Sequence, residues 1–228
     1  STLGEFRALL TVASLARQTG DFRAERDALV QARACYQTGR LEPYSFESLL
    51  GAETHLDWYR GELTGALEKA QTWLTIAQGS GYLRRRLYAT MVLGNVQRAL
   101  GRYDQSLQTY QTARRIAAES NPSFTRWIDA QESWVAALQG RLDDAALLAE
   151  RALAPADHGQ RISFQVNLAV VHLLNGHWLA AEELLRESLD FYRRSQDQVA
   201  TCAITFCLAY GQIANKARTP VILELLQP

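Results

Sequence analysis

At 228 residues the chain is longer than an average domain, with 47% hydrophobic and 21% charged residues. Those fractions exclude a disordered chain, and the lack of a compositional break makes one continuous domain over 1–228 the simpler expectation. Lys plus Arg and Asp plus Glu both number 24, so net charge favours neither nucleic acid nor an anionic membrane as a partner. No apolar run is long enough to span a bilayer, and the opening STLGEFRALL lacks the basic-then-apolar layout of a signal peptide. A cytoplasmic location is expected. The missing initial methionine adds the expectation of a piece cut from a longer protein.

In chain order, the predicted elements repeat one unit: a helix A, a short glycine turn and a helix B. The units fall at roughly 3–39, 45–78, 82–119, 122–154 and 160–196, with a diverged sixth at 198–226. The turn glycines are Gly20, Gly61, Gly101, Gly140 and Gly176, at intervals of 41, 40, 39 and 36 residues. Periods in this range mark a helical solenoid. Each glycine ends a helix in a conformation that tolerates positive φ. Two places after it stands an apolar residue: Phe22, Leu63, Tyr103, Leu142 or Trp178. Five places after it come Glu25, Ala66, Ser106, Ala145 and Ala181, small except for the first, as close helix contact requires. Nine places on are Leu29, Ala70, Tyr110, Ala149 and Leu185, and twelve places on are Ala32, Trp73, Ala113, Ala152 and Ser188. These offsets share one helical stripe. The sixth unit takes ATCAITFCLAYGQIA as helix A and starts a short helix B at Thr219-Pro220. Cys35, Cys202 and Cys207 are odd in number and lie in apolar helical segments, so they are expected to be reduced core thiols.

The stretch LGNVQRALGRYDQSLQTYQTA, residues 93–113, resembles a tetratricopeptide repeat, with its leucine-glycine pair, its glycine-x-tyrosine turn and its closing tyrosine and alanine. GHWLAAEELLRESL and GRLDDAALLAERAL follow the turn and helix B pattern more loosely, and the first unit departs from it at Glu25. The spacing exceeds the roughly 34 residues of the standard repeat. In that respect the chain is similar to the sensor arm of maltose-regulator-type transcription activators, large ATP-binding regulators that end in a LuxR-type DNA-binding domain. The resemblance implies an all-α, right-handed superhelix of about six antiparallel helix pairs with A helices lining a concave wall. It implies a non-catalytic binding module that senses an effector or a protein. A stand-alone adaptor for an extended or helical peptide is the alternative.

Counting thirteen, ten, six and three places back from each glycine gives the wall positions. For Gly101 they are Tyr88, Met91, Asn95 and Arg98; for Gly61, Ser48, Gly51, His55 and Trp58; for Gly140, Trp127, Ala130, Trp134 and Ala137. The binding candidates are therefore His55, Trp58, Tyr88, Asn95, Arg98, Trp127 and Trp134. A polar helix face in water is the competing reading for Asn95 and Arg98. A carboxylate clamp of the chaperone co-factor kind would need a cation four places before Asn95, where Met91 stands, and is expected to be absent. Trp73 and Trp178 are expected to pack in the core. Arg84, Arg85 and Arg86 cannot all face one wall, and form either a solvated face or an anion contact. Glu53 and Glu132 stand eight places before their glycines where other units have apolar residues; turns longer by one residue would realign both and shift their wall positions by one.

Enzyme chemistry has little support. His55, His158, His172 and His177 show no metal-ligand spacing, and neither a phosphate-cradling glycine loop nor a hydrolase serine elbow occurs. No metal or cofactor is expected. Asp143-Asp144 and Glu182-Glu183 open B helices, where acids favour the positive end of the helix dipole. The expected partner is a protein, a peptide or a small effector in the groove, with no direct nucleic acid or membrane contact. The closing TPVILELLQP carries little charge and is expected to continue into further chain, to tuck into the groove or to self-associate.

Overall fold

The computed structural model describes residues 2–39, 41–154 and 158–217. Among them stand eleven α-helices and one 3-10 turn, with no strand. In chain order they are α1 (Thr2–Gln18), α2 (Phe22–Gly39), α3 (Pro43–Tyr59), α4 (Leu63–Gly79), α5 (Leu83–Ala99) and α6 (Tyr103–Ser120). After the turn at Pro122–Phe124 follow α7 (Thr125–Leu138), α8 (Leu142–Leu153), α9 (His158–Leu174), α10 (Trp178–Arg194) and α11 (Gln198–Ala217). The predicted sixth helix B and the TPVILELLQP segment lie outside the described residues.

The fold is an all-α solenoid, and its helices group into two compact units, 1–128 and 129–228. In the first, each helix packs on its sequence neighbour, and α1 also touches α3 directly. In the second, α8 through α11 pack in the same sequential way and α9 touches α11. Direct contact between successive A helices is what stacked hairpins require.

One turn is built the same way each time. Gly20, Gly61, Gly101, Gly140 and Gly176 have φ of 76°, 77°, 73°, 76° and 75°. At Gly20 its N–H donates to the Arg17 carbonyl at 3.0 Å, and the next N–H, of Asp21, donates to the Ala16 carbonyl at 2.8 Å. The other four repeat that pair of bonds, which closes a helix with a left-handed residue at its end. The turns at Gly61 and Gly140 thus have no extra residue, and no register shift occurs. Glu53 is accommodated differently: it pairs with Arg33 of α2.

A sixth copy of this turn precedes α11, with Gln196 at φ 58° in the glycine's place. Asp197 then caps α11 by accepting from the Ala200 N–H at 2.9 Å, as Asp21 caps α2 through Ala24. A side chain in this conformation costs roughly 1–2 kcal/mol, partly offset by glycine's backbone entropy of about 0.5–1 kcal/mol. Gln196→Gly is therefore expected to stabilise the protein by about 0.5–1 kcal/mol. Urea denaturation followed by helical circular dichroism checks this, and an unchanged or lower midpoint would contradict it.

The residues five places past the glycines are all fully buried, Glu25 included. So are Ala70, Tyr110, Ala149 and Leu185 nine places past, with Leu29 nearly so. Burial of Ala66, Ser106, Ala145 and Ala181 lets each B helix approach its A helix closely, and Ser106 and Ser133 satisfy their hydroxyls on the Gly94 and Ala145 carbonyls at 2.8 and 2.9 Å. The first unit's core gathers Phe6, Leu29, Leu49 and Leu56 in one cluster and Leu67, Val92, Leu93 and Val96 in another. The second unit's core holds Leu173, Leu185, Leu189 and Ile204. The cysteines are free, but Cys202 is not a core thiol: it is exposed on α11 beside Phe206, on the outward face of that helix.

Candidate functional site

A large opening in the first unit is a cavity of about 810 Å³ between α3 and α5, floored by α4. Its volume lies in the range that holds a drug-sized ligand or several peptide side chains. From α3 come Tyr44, Glu47, Ser48 and His55, which fall within three turns on one face. Trp73 of α4 closes the floor, and its half-buried ring is seated over Gly51: a Cβ there would stand 2.9 Å from Cη2. Tyr82 just before α5, then Arg84, Arg85, Tyr88 and Val92, complete the wall.

Charge and aromatic groups are layered in this wall. Glu47 is almost completely buried and accepts from Arg85 Nη1 at 3.3 Å. The Arg85 guanidinium also lies 4.3 Å from the centre of the Tyr44 ring and 4.4 Å from that of Tyr82. Two aromatic faces and a buried carboxylate therefore hold one flat cation, an arrangement that suits guanidinium and not ammonium. Arg84 lies 5.9 Å from the Tyr88 ring centre, and Tyr88 meets Phe124 edge-on at 5.1 Å. Tyr44, Tyr82 and Tyr88 are 49%, 62% and 40% exposed, so the rim offers large aromatic area to a partner. His55 donates from Nδ1 to the Gly51 carbonyl at 2.7 Å. Burial pushes its imidazole pKa below the usual value, with the nearby Arg17 charge acting the same way and the Gly51 bond opposing. His55 is neutral at pH 7.

Of the seven residues singled out in the sequence, the cavity brings together His55 and Tyr88. Trp58 is half-buried against the Ala66–Val96 cluster and stacks on Tyr59 at 5.8 Å. Asn95 accepts from the Tyr110 hydroxyl at 2.7 Å, which ties it to helix packing. Arg98 and Trp127 are half-buried and do not line the cavity. In the second unit, Trp134 donates its indole N–H to Asn167 Oδ1 at 2.6 Å. Trp73, expected only to pack, does so and also faces the cavity. Of the three arginines, Arg84 and Arg85 line it and Arg86 does not. Sequence reasoning missed Tyr44, Glu47 and Tyr82. Tyr44 and Arg84 were within reach, because both stand seventeen places before their glycines, one helical turn beyond Ser48 and Tyr88.

No group of three or more His, Cys, Asp and Glu side chains among the described residues is placed to hold a metal ion. No described helix is long and apolar enough to cross a membrane.

No protein-family model matches the chain, and no curated protein matches its sequence. Solved structures do. The chain is similar to NprR in complex with its cognate peptide NprX, with a TM-score of 0.76 and 14% identity, over 98% of this chain and 66% of that one. The fold is tetratricopeptide-like. A Rap protein complexed with competence and sporulation factor matches with a TM-score of 0.66 and 15% identity, over 95% of this chain and 66% of that one. A signal transduction ATPase with numerous domains from Pyrococcus horikoshii, which has a tetratricopeptide repeat sensor, matches at 0.62 and 14% identity, over 98% of this chain and 36% of that one. These tetratricopeptide-like relatives extend well beyond the part matched here.

Proposed function

We propose that this tetratricopeptide-like chain is a non-catalytic binding module that takes a peptide or a short protein segment in the cavity between α3 and α5. Its repeats are read as one module, the sensing arm of a bacterial transcription regulator. The observation that supports this reading is the exposed tyrosine rim over an ion pair between buried Glu47 and half-buried Arg85. Exposed Tyr and Arg over a preformed cavity are the residue types that dominate binding energy at protein interfaces. That NprR was solved with a peptide and that the Pyrococcus protein carries a repeat sensor make a sensing role the natural assignment. An occupant that prefers one arrangement of the stacked helices over another would shift the module toward it, by no more than its difference in affinity for the two.

The test is native mass spectrometry of the intact protein with a random hexapeptide pool, with sugars and with nucleotides. Ser48→Trp serves as the control, because it fills the cavity from the face of α3. Peptide should be retained by the natural protein and lost by about tenfold or more in the variant. Peptide retained equally by Ser48→Trp, or a sugar or nucleotide adduct that Ser48→Trp abolishes, would contradict the reading. An ATPase and a helix-turn-helix segment in the parent gene would support the regulator over a stand-alone adaptor.

A further inference from the structure

We propose that this cavity selects an occupant bearing a carboxylate, and that Arg84 is the residue that pairs with it. The inference rests on the reading of the cavity as a peptide site and names the chemistry of what enters. Four groups of the wall are titratable or charged near neutral pH: Glu47, His55, Arg84 and Arg85. Glu47, nearly inaccessible to water, cancels Arg85. His55 is neutral through its burial. Arg84 is left over. It is exposed, and no carboxylate among the described residues forms an ion pair with it.

The wall therefore carries one uncompensated positive charge, beside Tyr88 and within a concavity of aromatic and aliphatic surface. Low-dielectric walls strengthen such a charge at short range and repel a cationic occupant. The two arginines divide the work. Arg85 is already paired and stacked, so a second carboxylate would gain little from it and would meet Glu47. Arg84 is exposed and makes no hydrogen bond to a described residue, and its guanidinium has the fork geometry that takes a carboxylate through two bonds. Tyr88 beneath it limits how far the guanidinium must be ordered on binding. Trp73 and Val92 offer an apolar seat for the body of the residue that carries the acid, or for its neighbour. The preferred occupant is thus a segment in which one carboxylate adjoins an apolar or aromatic side chain, and the acid is a side-chain Asp or Glu or a free C-terminus.

Two random hexapeptide pools, both N-terminally acetylated, test this with the full chain; one ends in a free carboxylate and the other in an amide. Peptides retained by the protein are sequenced. In the amide pool, retained sequences should contain Asp or Glu; in the free-acid pool, sequences without them should also be retained. Arg84→Gln should reduce retention about tenfold or more. Arg84→Glu, a favourable substitution in the first turn of α5, should shift the retained set to Lys- and Arg-containing peptides, and an unchanged thermal midpoint would show that the fold is intact. Retention of amide peptides free of Asp and Glu at the same level as the others would overturn the inference. So would an unchanged selection in Arg84→Glu. Both outcomes leave the peptide site standing, whereas no retention from either pool removes the peptide reading and this inference with it.

Discussion

Truncating Tyr110 to alanine is expected to lower stability by about 3–5 kcal/mol, the usual cost of emptying a large aromatic site in a core. Tyr110 is fully buried nine places after Gly101, its hydroxyl donates to Asn95, and its ring lies flush on the α5 backbone at Gly94. A Cβ at Gly94 would stand 2.8 Å from Tyr110 Cδ1 and nearer still to Cε1. Gly94→Ala is therefore also destabilising, by about 1–3 kcal/mol, even though alanine is the better helix former. The two costs have one cause. In a Tyr110→Ala background the ring is gone, and Gly94→Ala should cost nothing or become mildly stabilising. Urea denaturation of the two single variants and the double one measures the coupling. Additive losses would show that the leucine-glycine and tyrosine features of this repeat are not a matched pair.

Removing Arg17 is the second large effect. Glu25 occupies the position that Ala66, Ser106, Ala145 and Ala181 hold in the other units, and it is fully buried. Its Oε1 accepts from Arg17 Nη1 at 3.1 Å, while Oε2 has no hydrogen-bond partner among the described residues. Burial raises the carboxyl pKa above its usual 4.5, and the charge and hydrogen bond of Arg17 pull it back. A raised folded-state value means that the folded protein holds this proton more tightly than the unfolded chain. The contribution of Glu25 to stability is then fullest below its unfolded pKa and is lost as pH rises through the folded value. Arg17→Ala leaves burial unopposed and moves the folded value further up. The expected loss is about 2–3 kcal/mol at neutral pH, reduced from that of a wholly buried pair because Arg17 is partly in water. It should shrink toward about pH 4, where Glu25 is protonated in both states. Combining Arg17→Ala with Glu25→Ala should restore most of the stability, since four other units place a small residue there. Denaturation midpoints at the two pH values check the sign, and a loss that grows toward acid would contradict it.

Both effects bear on how far the sequence alone could be read. The hairpin frame was legible because packing imposes it at every repeat: the glycines must adopt positive φ, and Ala66, Ser106, Ala145 and Ala181 must be small where helices meet. Such constraints recur at fixed offsets and are visible without a structure. Glu25 was legible only as a departure from the pattern, since nothing in the repeat frame shows that Arg17, eight residues earlier, pairs with it. Glu53 suggested a longer turn, but the real accommodation was an ion pair with Arg33, twenty residues away on the preceding helix. The candidate site was less legible for the same reason. His55 and Tyr88 came from counting back along single helices. The Glu47–Arg85 pair spans thirty-eight residues and two repeats and leaves no periodic trace. Asn95 looked like a wall residue because it lies on the same stripe as Tyr88. Its partner, the Tyr110 hydroxyl, is on the next helix and turns it inward.

The proposed binding surface lies between α3 and α5 of the first unit. Hydrogen–deuterium exchange of the intact protein, with and without peptides retained from the hexapeptide pool, tests it most directly. Added protection should concentrate in peptides covering residues 44–55 and 82–92, and should disappear in Ser48→Trp. Protection confined to the second unit, or spread evenly over every helix and insensitive to Ser48→Trp, would contradict it.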